Sequence, residues 1–302
     1  MSPATPATPA KRILPAPLLV LGAILSVQFG AAVAAGLIRE IGPVVTVAIR
    51  LDVAALVLAL VARPSLRGRT AADWRAAAIL AVSLVVMNVA FYSAIARIPL
   101  GVVTTIEFIG PLGLAAASSR RPRDLIAVAV ALAGVVAVSG ILDTSLQDLD
   151  ALGLVFTVIA ACGWASYILA TRSVGKRFRQ VDGLAFAMIG AAVIVTPLGI
   201  AAGVSSGINL HPSQVAAGVA IGLLSSVVPY SLELVALRSI STRVFGILLS
   251  VEPAVAALAG LVVLAQALTS MEIGGMALVV AASVIVMADQ RAEPAEEAAE
   301  IG

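Results

Sequence analysis

Ten apolar blocks, each about twenty residues long, set the limits on what this chain can fold into. As a helix rising about 1.5 Å per residue, each block crosses a hydrocarbon layer of about 30 Å. The blocks lie at 16–36, 43–62, 74–96, 99–118, 123–142, 151–171, 181–203, 213–237, 241–265 and 271–289. Hydrophobic residues make up 61% of the chain and charged residues 12%. An ordinary soluble domain is about 45–50% apolar and about 25% charged, so a soluble fold is excluded. Alternating polar and apolar residues are absent and the runs are too long for barrel strands, which leaves an all-α membrane protein. The first block follows Lys11 and Arg12 as a secretory signal would, but nine comparable blocks follow it, so it reads as a span. Residues 1–15 and 290–302 lack an apolar face and read as a disordered tail and an acidic tail, both cytoplasmic.

The basic residues orient the spans. With the N-terminus inside, sixteen Lys and Arg fall in cytoplasmic segments, among them Arg63, Arg67, Arg69, Arg120, Arg121, Arg177 and Arg243. Only Arg39 and Arg97 fall on the opposite face. That asymmetry is the positive-inside pattern and places both termini in the cytoplasm. It also accounts for basic loops such as SSRRPRD at 118–124 without a nucleic-acid partner.

A repeat is visible at a shift of 142 residues. NVAFYSAIARIPLGVVTTIEFIGPLGLAAA at 88–117 falls on YSLELVALRSISTRVFGILLSVEPAVAALA at 230–259 without a gap. Ala94 then meets Ala236, Ile98 meets Ile240, Val102 meets Val244, and Pro111 meets Pro253. The halves are 16–142 and 151–289. Five spans per half make the second half cross in the opposite sense, an inverted repeat of the kind secondary transporters use, with the substrate site at mid-depth between halves. Each proline removes a backbone donor, freeing the carbonyl of Glu107 for Pro111 and of Leu249 for Pro253. Either proline alone reads equally as a packing kink. At matching positions of a repeat, the two together predict hinges that line a cavity.

Five ionisable residues lie well inside the spans: Arg50, Asp52, Glu107, Glu233 and Glu252. A charge at mid-bilayer costs about 2.5–3.5 kcal/mol on insertion scales, which makes a functional site the default reading. Arg50 and Asp52, two residues apart, point to different sides of a helix. Arg50 is therefore expected to bond a carboxylate or carbonyls on another helix, and a structural role remains open for both. Counting along the spans puts Glu107 about 12 Å and Glu252 about 16 Å from the nearer edge, close to mid-depth. Glu233 lies near the cytoplasmic end of its span and is expected to snorkel or to pair with an arginine. Tyr92, Trp164, Tyr167 and Tyr230 sit within spans, where a Trp or Tyr needs a hydrogen-bond partner. With Asn88 and Gln28 they line an amphipathic pocket, or they pack as core. Trp74 reads as an interfacial anchor.

Phosphate-loop, metal-ligand and nucleophile–base patterns are absent, so no cofactor or metal is expected. The single cysteine, Cys162, forms no internal disulfide.

The segments PLGVVTTIEFIGP, SSRRPRD, CGWASYIL and VVPYSLELVALRSISTRVFGILLSVEPAVAALAG resemble the bacterial amino-acid exporters of the drug/metabolite transporter superfamily, EamA type. The resemblance spans roughly residues 14–289 and is strongest to the threonine/homoserine exporter group. It implies a ten-helix inner-membrane carrier with a cavity between two inverted five-helix halves. Arg50 matches the arginine common in the second helix, Pro111 and Pro253 match the helix prolines, and Glu107, Tyr230, Glu233 and Glu252 match motifs of the threonine/homoserine group. Ala265-Gln266 stands where the family often has Gly-Glu. The function expected is alternating-access export of small neutral amino acids, with protons as a coupling ion. The resemblance leaves aromatic amino acids, cationic drugs and nucleotide sugars as other cargoes. A membrane-embedded enzyme is disfavoured because the buried carboxylates lie on different helices near mid-depth. Substrate binding or coupling is expected at Glu107, Glu252, Asn88, Tyr92, Trp164, Tyr230, Arg50 and Gln28.

Overall fold

The computed structural model describes residues 14–119, 121–139, 141–143, 149–255, 258 and 269–300. Residues 144–148, Ala265-Gln266, most of the N-terminal tail and the distal half of the ninth span lie outside them. Helices account for nearly all of the described chain. In order they are α1 (Ala16–Ile41), α2 (Pro43–Ala62), α3 (Ala71–Ile95), α4 (Leu100–Glu107), α5 (Ile109–Ala117) and α6 (Pro122–Val138). After them come α7 (Ala151–Arg177), α8 (Asp182–Ser205), α9 (Pro212–Gly222), α10 (Val228–Ala236), α11 (Thr242–Leu249) and α12 (Ser270–Glu300). A five-residue π-turn, Leu223–Val227, joins α9 to α10.

Among the described residues, five helical stretches are long and apolar enough to cross a membrane: Pro43–Ala62, Ala71–Ile95, Ala151–Arg177, Asp182–Ser205 and Pro212–Ala236. Shorter apolar helices cover Ala16–Ala31, Val102–Ala117 and Ser270–Ile285. Large apolar side chains such as Leu60 and Val193 point outward, and the polar side chains Arg50, Asn88, Glu107 and Glu233 point inward. That inversion of the soluble pattern suits a lipid surface.

Local sequence sets the helix boundaries. Gly42, at φ 75°, makes the left-handed joint between α1 and α2, and Pro43 begins α2 where its missing N–H costs nothing. Thr70 and Asp73 form a reciprocal cap at the start of α3: the Thr70 hydroxyl accepts from the Asp73 N–H at 3.2 Å, and the Asp73 carboxylate accepts from the Thr70 N–H at 2.9 Å. Asp150 caps α7 by accepting from the Gly153 N–H at 2.7 Å. The last helix runs on to Glu300, past the expected end at 289, because AEPAEEAAE is rich in the helix formers Ala and Glu.

The packing has a regular scheme. α2 lies on α8, α3 on α7, α1 on α9 and α10, α5 on α11, and α6 on α12. At the α6–α12 crossing a β-carbon on Gly134 would stand 2.8 Å from the Gly275 carbonyl oxygen, and one on Gly275 would stand 2.8 Å from that of Gly134. Only two glycines let these backbones approach so closely.

The expected fourth span is broken. α4 ends at Glu107, Phe108 forms a turn, and α5 resumes at Ile109. The ninth span breaks likewise: α11 ends at Leu249, Ser250 and Val251 form the turn, and helix resumes over 252–255. Both breaks lie just before the prolines whose missing N–H frees the carbonyls of Glu107 and Leu249.

At one end of the bundle three ion pairs each join a residue of 16–142 to one of 151–289. Arg69 meets Asp182 at 3.0 Å, Arg177 meets Asp73 at 3.7 Å, and Arg243 meets Asp124. Arg238 adds hydrogen bonds to the carbonyls of Gly175, Phe178 and Gln180. These groups belong to the segments that the basic residues assign to the cytoplasmic side.

Candidate functional site

The site grows from a defect in the helix α9–α10. Pro229 has no N–H, so the Ser225 carbonyl four residues earlier loses its helical donor, and the chain relaxes into the π-turn. Arg50, from α2, fills the gap. Its Nη2 donates to the Ser225 carbonyl and, at 3.1 Å, to the Tyr230 hydroxyl; its Nε donates to the Ser226 hydroxyl at 2.7 Å; its Nη1 donates to the Tyr92 hydroxyl at 3.0 Å. The guanidinium carbon lies 5.7 Å from the Tyr92 ring centre and 5.8 Å from that of Tyr230, within cation–π range. Ser26 of α1 donates to the neighbouring Leu224 carbonyl at 2.6 Å, so another backbone group of the loosened turn is also engaged.

Asn88 extends the network. Its Nδ2 donates to the Leu84 carbonyl at 2.8 Å and to the Tyr230 hydroxyl at 3.1 Å. The Tyr230 ring packs on that of Tyr167 with centres 5.3 Å apart, and the Tyr167 hydroxyl donates to Glu233 Oε2 at 2.7 Å. Arg50, Asn88, Tyr92, Tyr167, Tyr230 and Glu233 are all buried.

The other carboxylates sit at the helix breaks. Glu107 is the last residue of α4 and is buried; Glu252 follows the break after α11 and is half-buried. Gln28 of α1 donates its amide to Glu252 at 3.4 Å. Glu252 is near enough to both Glu107 and Glu233 for their charges to interact, so the fold draws three carboxyls from three helical segments into one region. Beside Glu107, Phe108 meets Trp164 edge to face at 5.0 Å.

Gly110 permits the tight packing of α5 on α7, since a β-carbon there would collide with the Ala161 carbonyl. At Gly246 a β-carbon would stand 2.6 Å from the Pro111 carbonyl oxygen, so this glycine lets α11 rest on the break in the fourth span.

The structure thus gathers Arg50, Asn88, Tyr92 and Tyr230 into one hydrogen-bonded group, and Gln28 with Glu252 into a second. Arg50 binds a carbonyl and hydroxyls on other helices and, among the described residues, has no carboxylate within ion-pair distance. Asp52 faces the opposite way and accepts from the Thr196 hydroxyl of α8 at 2.6 Å, as their two-residue spacing requires. The expectation that Glu233 snorkels is corrected; the charge of Arg50 does act on it, though beyond ion-pair distance. It is buried and its partner is Tyr167, because the inner face of α10 turns it toward α7 rather than toward the membrane edge.

Ser225 and Ser226 were not legible as site residues from their own identity. The signal was Pro229: the reasoning that frees the carbonyls of Glu107 and Leu249 also frees that of Ser225.

Comparison with known proteins follows the same lines. Residues 151–288 match the EamA-like transporter family. Over 282 residues the chain is 36% identical to the threonine/homoserine exporter RhtA of Salmonella typhimurium (strain LT2), covering 92% of each chain. To the exporter of the same name from Escherichia coli (strain K12) it is 36% identical over 271 residues, covering 88% of this chain and 89% of the relative. A protein of known crystal structure shares the fold, with a TM-score of 0.72, 19% identity, and coverage of 91% of this chain and 97% of its own. With likeness to full-length relatives along nine-tenths of its length, this chain belongs to the EamA-like transporter family.

Proposed function

We propose that this chain exports small neutral amino acids such as threonine and homoserine across the bacterial inner membrane. The observation that carries the reading is the pairing, in one bundle, of a buried guanidinium whose hydrogen-bond partners are all neutral and a group of carboxyls at broken helices. A zwitterion needs both kinds of group. Glu107 and Glu252 offer anions to its ammonium, and Arg50, Asn88 and Tyr230 offer donors to its carboxylate. The relatives' transport of threonine and homoserine supports the same cargo.

Alternating access of two inverted halves, 16–142 and 151–289, is the proposed mechanism, with ten crossings, both termini cytoplasmic and protons as coupling ion. Support comes from the helix limits and the packing. Shifted by 142, α4 (Leu100–Glu107) falls on α11 (Thr242–Leu249) with both ends matched. Exchanging the halves also converts much of the packing scheme into itself: α1 on α9–α10 becomes α7 on α3, while α2 on α8 and α6 on α12 exchange with themselves. The three ion pairs between halves hold the cytoplasmic end together, and opening to that side breaks them.

The test loads proteoliposomes with labelled threonine and compares efflux from wild type, Glu107→Gln and Glu252→Gln. Loss of efflux of at least tenfold in one or both variants is expected, on the order of removing one charged hydrogen-bond partner. Wild-type vesicles that leak threonine no faster than empty ones would sink the cargo; full efflux in both variants would sink the role of the carboxylates.

A further inference from the structure

We infer that Pro229 and Ser226 are positioning residues that hold Arg50 as the receptor for the substrate's α-carboxylate, so that a free carboxylate is what this transporter selects. The inference rests on the reading of the chain as an amino-acid exporter.

Its basis is the accounting of one guanidinium's hydrogens. Arginine carries five N–H donors. Four are used: Nε on the Ser226 hydroxyl, one Nη1 hydrogen on Tyr92, and both Nη2 hydrogens on the Ser225 carbonyl and the Tyr230 hydroxyl. The fifth, on Nη1, has no partner among the described residues. All four partners are neutral, and the nearest opposing charge, that of Glu233, acts from beyond ion-pair distance, so the guanidinium keeps a donor for a further anion. The spare N–H is on the same nitrogen that holds the Tyr92 hydroxyl, so it offers a carboxylate one charged donor with a hydroxyl nearby.

Pro229 makes this arrangement possible. In an unbroken helix the Ser225 carbonyl would accept from the N–H of residue 229 and would have less to offer Arg50. The proline removes that competitor, and the π-turn brings the Ser226 hydroxyl to Nε. Without these two anchors the long arginine side chain regains its rotamers, and the spare donor loses its aim. Arg50 thus touches the substrate, and Pro229 and Ser226 act through it.

The test compares threonine with threoninol, which replaces the carboxylate by a hydroxymethyl group. The assay is inhibition of labelled threonine exchange in proteoliposomes carrying the full chain. Wild type should bind threonine well ahead of threoninol. In Ser226→Ala and Pro229→Ala the KM for threonine should rise roughly tenfold, the effect of losing one charged hydrogen bond, while the threoninol inhibition constant moves by less than about twofold. Arg50→Lys should erase the preference, because an ammonium cannot span four acceptors on different helices. A merely structural role would lower the maximal rate or the melting temperature and leave the threonine-to-threoninol ratio at its wild-type value. That result in Ser226→Ala overturns the inference even where Pro229→Ala does not fold. Wild type that exchanges no threonine would instead overturn the exporter reading itself.

Discussion

The two broken helices, 99–117 and 241–255, share a backbone and divide its chemistry. The joints that lead into them share two bonds: Arg97 N–H to the Ala94 carbonyl at 2.8 Å matches Ser239 to Ala236 at 2.9 Å, and Ile98 to Ala94 at 3.0 Å matches Ile240 to Ala236 at 3.1 Å. The turns also agree, with Phe108 at φ −62° and ψ −16° and Ser250 at φ −62° and ψ −12°. The side chains do not. Glu107 precedes the first break where Leu249 precedes the second; Glu252 follows the second where Gly110 follows the first. Arg243 at the start of α11 is tied to Asp124, and its counterpart is Gly101. Two helices alike in backbone can therefore keep the same break while one of them is tied down at its start.

The largest expected effect concerns that tie. Asp124 is almost wholly buried, and Arg243 is its ion-pair partner. Removing one partner leaves a buried charge uncompensated, which costs about 3–5 kcal/mol. Arg243→Ala should lower the melting temperature of the detergent-solubilised protein sharply. Asp124→Asn with Arg243→Gln should recover much of the loss, because neutral partners leave no lone charge behind. If the double variant melts as low as Arg243→Ala, the ion pair is not what fastens this helix.

A smaller effect is expected at the glycines. The methyl of Gly110→Ala would meet the backbone carbonyl of Ala161, and that of Gly246→Ala would meet the Pro111 carbonyl oxygen. Neither obstacle is a flexible side chain, so each variant should lose about 1–3 kcal/mol by overpacking. The two should differ in transport. Gly246→Ala wedges one broken helix off the break in the other and should slow threonine exchange beyond what its lost stability explains. Gly110→Ala strains the contact with α7 and should slow it less. Equal rates in the two variants at equal melting temperature would remove the special role of the α5–α11 contact.

The parts of this molecule legible in the sequence are those fixed along one helix. Block length gave the apolar helices, five of which, among the described residues, are long enough to cross a membrane, and the prolines at 111 and 253 marked where two helices break, because a missing N–H acts on a carbonyl at a known offset. The opposite facing of Arg50 and Asp52 followed from their spacing alone. What was not legible depends on which helix lies alongside. Glu233, three residues from the end of α10, reads in sequence as a residue able to reach the membrane edge; only the packing of α10 on α7 turns it to Tyr167. Ser225 and Ser226 look like two ordinary small polar residues until α2 delivers Arg50 to them. Pro229 has no proline counterpart in the first half, where Met87 stands, so the repeat does not mark the carbonyl it frees.

The smallest expected effect tests how the two helices begin. Ser241 caps α11, its hydroxyl accepting from the Val244 N–H at 3.3 Å, while Pro99 begins α4 with no side-chain cap. Losing a serine cap costs about 1 kcal/mol, so Ser241→Ala should lose that much. Proline offers a different advantage: where its φ is already met, it stabilises by about 0.4–1 kcal/mol through the unfolded chain. Ser241 stands at φ −73° and ψ 157°, close to the φ −57° and ψ 137° of Pro99. The residue before it, Ile240, is held by the same backbone bond as Ile98, which already precedes a proline, so the restriction that proline places on its neighbour is met. Ser241→Pro should therefore lose only a few tenths of a kcal/mol, less than Ser241→Ala, in thermal unfolding of matched preparations. A Ser241→Pro variant as unstable as Ser241→Ala would mean that the two joints, alike in their hydrogen bonds, are not interchangeable, and that the second helix depends on its cap in a way the first never did.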